Sequence, residues 1–288
     1  MVRLSPHFQR VTFTADELEH FGTARLDQRI KIVLPHVDGS YSDFGQSEGA
    51  GDWYDRWRAL AAAERNVFRT YTVRRVDPVA RELDVDFVTH HDAGPAGEWA
   101  ERAAPGQRLI VVGPDERSPH SASGLDWHPG SARRVVLAGD ETAAPAISAI
   151  LEMLGADYDV DAFIEVPTSA DILGIRHSES ARVTWLPRDG RVHGALLIDA
   201  LSVWADASAD VLERAAAPRR QQVADIDVDL ELLWDSPEAS DGEFYAWIAG
   251  EAATVKTLRR MLVSERGVDR KRVAFMGYWR LGQAERIE

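Results

Sequence analysis

Short alternations of apolar and polar residues crowd the first 114 positions. Beyond about residue 131 they give way to apolar runs separated by amphipathic stretches. Val11-Thr12-Phe13-Thr14 and Ile30-Lys31-Ile32-Val33-Leu34-Pro35 have the period or the apolar run of strands, and residues 15–21 suit a short helical turn between them. Residues 36–66 are rich in Gly, Ser and Asp and then aromatic, with Trp53, Tyr54 and Trp57. This pattern predicts a long surface excursion with one helix over 55–64. Three further strands are expected at 69–76, 82–88 and 108–113, with a turn at Pro105-Gly106 before the last. Several short strands separated by turns predict an antiparallel β-barrel.

The second half follows another rule. Arg134-Val135-Val136-Leu137-Ala138-Gly139 reads as a buried strand and residues 143–154 as a helix. Strands are expected at 160–166, 181–186, 244–250 and 272–278, with a helix over 252–265. Strands alternating with helices predict a doubly wound parallel sheet. Residues 200–240 are alanine-rich and then acidic, and are expected to be helix and loop. The organisation expected is a β domain over 1–117, a Ser-, Gly-, Pro- and His-rich linker over 118–131, and an α/β domain over 132–288.

Charge and cysteine content narrow the functions. The chain holds 33 basic and 47 acidic residues, a formal charge of −14, and no cysteine. Disulfides, thiolate-held clusters and a cysteine nucleophile are excluded, and nucleic acid is not an expected partner. No run of 18 apolar residues occurs, so membrane insertion is not expected. The opening residues Met1 to Phe8 lack the apolar stretch of a secretory signal. A cytoplasmic monomer is the expectation.

Four clusters could hold chemistry. The first is Arg69-Thr70-Tyr71-Thr72-Val73-Arg74. Alternation puts Arg69 and Tyr71 on one face and Thr70, Thr72 and Arg74 on the other. A guanidinium fork clamps phosphate and a phenol ring offers an apolar face, a pairing suited to an anionic and planar ligand. A strand with solvated arginines fits the same residues. The second cluster follows the strand at 82–88, where small residues from Ala93 to Gly97 precede a helix and let backbone amides approach an anion; an ordinary strand–loop–helix joint reads the same way. His90-His91 are adjacent on a strand and point apart, which disfavours a metal. The third, Gly139-Asp140-Glu141-Thr142, lies at the carboxyl end of the first α/β strand, where ligands bind in open sheets; helix capping alone would also explain it. No Gly-x-Gly-x-x-Gly follows a strand. The fourth is Gly277-Tyr278-Trp279-Arg280, whose rings either cover a flavin or close the sheet. After the strand at 181–186, Arg188 could meet a 2′-phosphate, with Asp189 beside it opposing.

In order and spacing these clusters, with Asp86-Phe87-Val88-Thr89-His90 and Ala249-Gly250-Glu251, resemble the siderophore-interacting protein family, ferric-siderophore reductases of the ferredoxin-reductase superfamily. The resemblance spans about residues 8–283. It implies an FAD-binding barrel followed by a nicotinamide-nucleotide domain. By motif it assigns Arg69, Tyr71, Thr72 and Arg74 to the flavin and its phosphates, and Asp86, Val88 and His90 to the dinucleotide. It assigns the loop with Gly94, Ala96, Gly97 and Trp99 to the pyrophosphate. Gly139, Asp140, Glu141, Thr142, Gly250 and Glu251 would border the nicotinamide, with Tyr278 and Trp279 beside the ring.

A basic patch for an anionic ferric chelate would draw on Lys31, Arg117 and Lys256, though each also suits a solvated surface charge. Family members commonly have serine at the position of Gly97 and leucine at that of Ala144, so this chain has one hydroxyl donor fewer at the pyrophosphate loop. The activity implied is electron transfer from NADH or NADPH through FAD to siderophore-bound iron(III), releasing iron(II). A general flavin or electron-transfer reductase and a non-enzymatic siderophore-binding protein are the alternatives.

Overall fold

The computed structural model describes residues 1–48, 51–89 and 94–282. Its first part is antiparallel. β1 (Val2–Ser5), β2 (Phe8–Thr14), β5 (Arg75–Asp77) and β6 (Glu82–Val88) form one sheet in the order β1-β2-β6-β5. β3 (Arg29–Val33), β4 (Phe68–Thr72) and β7 (Ile110–Val112) form a second, in the order β4-β3-β7. Leu83, Val85 and Phe87 alternate into a core with Val11, Ile30 and Ile32. The intervening Asp84 and Asp86 take the other face of β6, as the two-residue period of a strand requires.

The stretch expected as one strand over 69–76 is two. The Val73 amide donates to the Gln28 carbonyl and the Arg74 amide to the Asp84 carbonyl, so the chain crosses between sheets at these residues. The excursion over 36–66 has its own small core of Val33, Phe44 and Trp57. Its helix, α1, covers Trp53–Ala59, and a separate 3-10 turn follows at Ala62–Glu64. α2 (Pro95–Arg102) packs on β2 and β6.

The second part is a six-stranded sheet in the order β10-β9-β8-β12-β13-β11. Its strands are β8 (Arg134–Gly139), β9 (Asp159–Val166), β10 (Ala181–Pro187), β11 (Trp234–Asp235), β12 (Phe244–Glu251) and β13 (Val273–Trp279). All pairs are parallel except β11 with β13. α3 (Ala144–Met153) covers one face with a run of alanine and isoleucine. α4 (Ala195–Ala207), α5 (Ala209–Arg214) and α6 (Ala252–Arg259) contribute to the core on the other face. The helix expected over 252–265 changes to π-helical winding at Arg260–Glu265. The strand order reverses between β8 and β12, so their carboxyl ends mark the switch point of the sheet. Open α/β sheets bind ligands at such a switch point.

Candidate functional site

The structure joins the first two clusters through aromatic rings. Strand pairing sets Arg69 opposite Ile32 and Tyr71 opposite Ile30, hence on the same face of that sheet. The Tyr71 ring lies 4.5 Å from Phe87, and Phe87 lies 5.8 Å from Trp99 on α2. Such ring pairs are worth about 0.5–1.5 kcal/mol beyond their buried area. Thr72 is buried, and its strand neighbour across the sheet is Arg29.

At the start of α2, Gly94 has no capping side chain. No described atom lies within 4 Å of where its Cβ would stand. Ala96 and Gly97 are buried and present little or no side chain. An uncapped helix start with small residues fits an anion approached by backbone amides. Val88 ends β6, and His90 lies outside the described residues.

Arg74 and Asp86 have partners within the protein. The Arg74 guanidinium meets both Glu152 oxygens on α3, at 2.9 and 2.6 Å, and Arg25 reaches the same carboxylate at 3.0 Å. Asp86 accepts two bonds from Arg10, at 2.6 and 2.8 Å, with Arg74 Nε 3.6 Å away. Arg10, Arg25 and Arg74 thus share two carboxylates across the seam between the two parts of the chain.

Asp171 and Asp27 also bridge that seam. Asp171 accepts from Ser5 Oγ at 2.7 Å and from the His7 amide at 2.9 Å, while also closing a capping box with Thr168. Asp27 accepts from the Asp126 and Trp127 amides and from Trp247 Nε1. Burial raises the Asp27 carboxyl to about 6, against the pull of the Trp247 bond.

The carboxyl ends of the parallel strands form the rim. Asp140, just past β8, is buried and accepts from the Thr142 amide and hydroxyl, the Glu251 amide and Trp279 Nε1. Gly250 makes the approach possible: its φ is +144°, and a Cβ there would stand 2.6 Å from Asp140 Oδ2. Glu141 takes a bidentate pair from Arg188 at 2.7 and 2.8 Å. Burial pushes the Glu141 carboxyl up, but Arg188 and His193 outweigh it and hold it at about 2.

Arg188 has Glu165 as a further neighbour at 3.3 Å. Glu165 and His193 join this rim although nothing local in the sequence marks them. Asp140, Glu141 and His193 bring ligand-type atoms within 4.8 Å of one another. Their carboxylate oxygens already accept from the donors named above, which organises the group as an ion-pair network. A surface hollow of about 480 Å³ lies elsewhere, beside Arg134, Asp159 and Phe244 at the amino ends of the strands.

Of the three cations expected at the substrate, Lys31 Nζ donates to Thr70 Oγ1 at 2.6 Å. Arg117 pairs with Asp115, and Lys256 with Asp225 at 2.6 Å. Tyr278 stacks on Trp234 at 5.7 Å, and its buried hydroxyl has no hydrogen-bond partner among the described residues. No helix among the described residues is long and apolar enough to cross a membrane.

An antiparallel β part followed by a mostly parallel α/β sheet is the ferredoxin-reductase-like fold. The model of the siderophore-interacting FAD-binding domain matches residues 1–118 and that of the siderophore-interacting protein matches residues 132–282. The chain belongs to the siderophore-interacting protein family. It is 33% identical to an uncharacterised protein of Mycobacterium tuberculosis, over 99% of this chain and 89% of that one. It is 28% identical to the ferric vibriobactin reductase ViuB of Vibrio cholerae, over 98% and 87%. A solved siderophore utilization protein from T. fusca matches with a TM-score of 0.64 and 28% identity, over 98% and 90%.

Proposed function

We propose that this chain is a ferric-siderophore reductase that takes electrons from NADH or NADPH and delivers them through FAD to iron(III). The observation that carries the reading is the likeness to ViuB over nearly the whole chain. Residues 1–117 would be the FAD domain, 118–131 the linker and 132–288 the nucleotide domain. Arg69, Tyr71 and Thr72 would hold the flavin, with the amides after Gly94 at its pyrophosphate. Arg74 and Asp86 would brace that strand from the seam.

Gly139, Asp140, Glu141, Thr142, Gly250, Glu251, Tyr278 and Trp279 would border the nicotinamide. When bound, FAD supplies the conversion of one two-electron donation into two one-electron deliveries. Each NAD(P)H oxidised thus accounts for two iron(III) ions reduced. Lys31, Arg117 and Lys256 would meet an anionic chelate. We take the protein to act as a cytoplasmic monomer.

The test is anaerobic. Protein loaded with FAD should lose its flavin absorbance on mixing with NADH or NADPH and regain it with a ferric siderophore, while a chelator specific for iron(II) develops colour. A protein that takes up no FAD overturns the reading. Bleaching without reoxidation by ferric chelates would instead favour a general flavin reductase.

A further inference from the structure

The rim holds four buried carboxylates: Asp140, Glu141, Glu165 and Glu251. Two are compensated by helix starts. Glu165 accepts from the Gly194 and Leu197 amides at 2.7 and 3.0 Å, where α4 begins. Glu251 caps α6 by accepting from the Thr254 amide at 2.9 Å. Helix N-termini favour negative charge. Asp140 and Glu141 remain, and two basic side chains face them: Arg188, bidentate on Glu141, and His193.

His193 Nε2 stands 3.5 Å from Asp140 Oδ2 and 3.6 Å from Glu141 Oε2. Its side chain is 10% exposed, and among the described residues these two carboxylates are the acidic partners its Nε2 meets. A neutral ring would leave adjacent buried carboxylates with one cation between them, whereas an imidazolium balances the pair. The backbone beside it favours glycine: Gly194 has φ +79°, and a Cβ there would collide with Thr254 Oγ1. The Trp279 ring lies edge-on to His193 at 5.0 Å while its Nε1 donates to Asp140 at 2.8 Å.

We infer that His193 is a positioning residue: as an imidazolium between Asp140 and Glu141, it holds Trp279 on Asp140 and fixes the end of β13 at the rim. Burial opposes the charge on His193, but Glu141 and Asp140 outweigh it and raise its pKa above the ordinary 6.5. The latch is therefore complete below pH 6.5 and released as pH rises through the raised value. The charged groups around it are Asp140 and Glu141 after β8, Glu165 on β9, Arg188 after β10 and Glu251 at the end of β12.

The test is a pH titration of the full chain by NMR, following the His193 ring and the Trp279 indole N–H in the wild type. Both ring nitrogens should be protonated at about pH 6.5, the ordinary histidine value, and the indole signal should move in step as His193 loses its proton. H193Q should abolish that step, and H193K should keep the low-pH indole position without it. A neutral His193 at that pH, or the same indole step in H193Q, overturns the inference. So does a His193 signal that shifts on adding micromolar Zn²⁺, which would make the cluster a cation site. Should H193Q fail to fold, the wild-type titration still decides. Neither signal depends on flavin or nicotinamide, so this inference and the functional reading fail separately.

Discussion

The seam and the rim are both buried ion networks, yet their charge balance is opposite. At the seam, three guanidinium groups share Asp86 and Glu152. At the rim there are four carboxylates to two basic side chains: Asp140 and Glu141 face Arg188 and His193, while Glu165 and Glu251 accept from amides at helix starts. A surplus of cations near the Arg69–Thr72 strand suits phosphates, and a surplus of acids at the switch point suits a group that gains positive charge. Each network also has a different mechanical role. The seam ties two parts of the chain together, while the rim ties strand ends within one sheet.

The largest effect expected is at the seam. E152A leaves Arg74 buried with only the more distant Asp86, and should cost about 3 kcal/mol in urea unfolding. R69A should weaken FAD binding about 10- to 100-fold, read by flavin fluorescence titration, if the guanidinium makes a charge-assisted phosphate contact. G250A tests the rim, where the added Cβ collides with Asp140 and the backbone conformation is one that only glycine readily adopts. It should cost about 2 kcal/mol and disturb the Trp279 signal.

The smallest effect is a pH dependence. Asp27 has a folded pKa raised to about 6, so its contribution to stability is full below the unfolded value of 3.8 and declines as pH rises through 6. Over that interval the wild type should lose stability relative to D27N, read as a change in the difference between their urea midpoints. An unchanged difference would show that Asp27 does not titrate there.

Motifs contiguous in the chain are legible from sequence. Arg69 to Thr72 and Gly139 to Thr142 announce themselves because neighbouring residues share one strand or one strand end. Arg188 and His193 reach Glu141, and Glu165 reaches Arg188, only because β9 lies between β8 and β10 in the sheet, which no local pattern encodes. β1 carries no signal of its own, because its four residues gain strand form by pairing with β2. The alternation over 69–76 continues unbroken through Val73, yet hydrogen bonds to Gln28 and Asp84 redirect the chain there and divide the strand.

Asp27 has a consequence for synthesis of the chain. Its bond to Trp247 joins residues 220 positions apart. At ribosomal rates of about 5–20 residues per second, Trp247 emerges roughly 10–40 s after Asp27. Until then the carboxylate has at most the Asp126 and Trp127 amides as donors, which themselves emerge about 100 positions after it. The full set of donors around Asp27 is therefore complete only once β12 of the parallel sheet has been made.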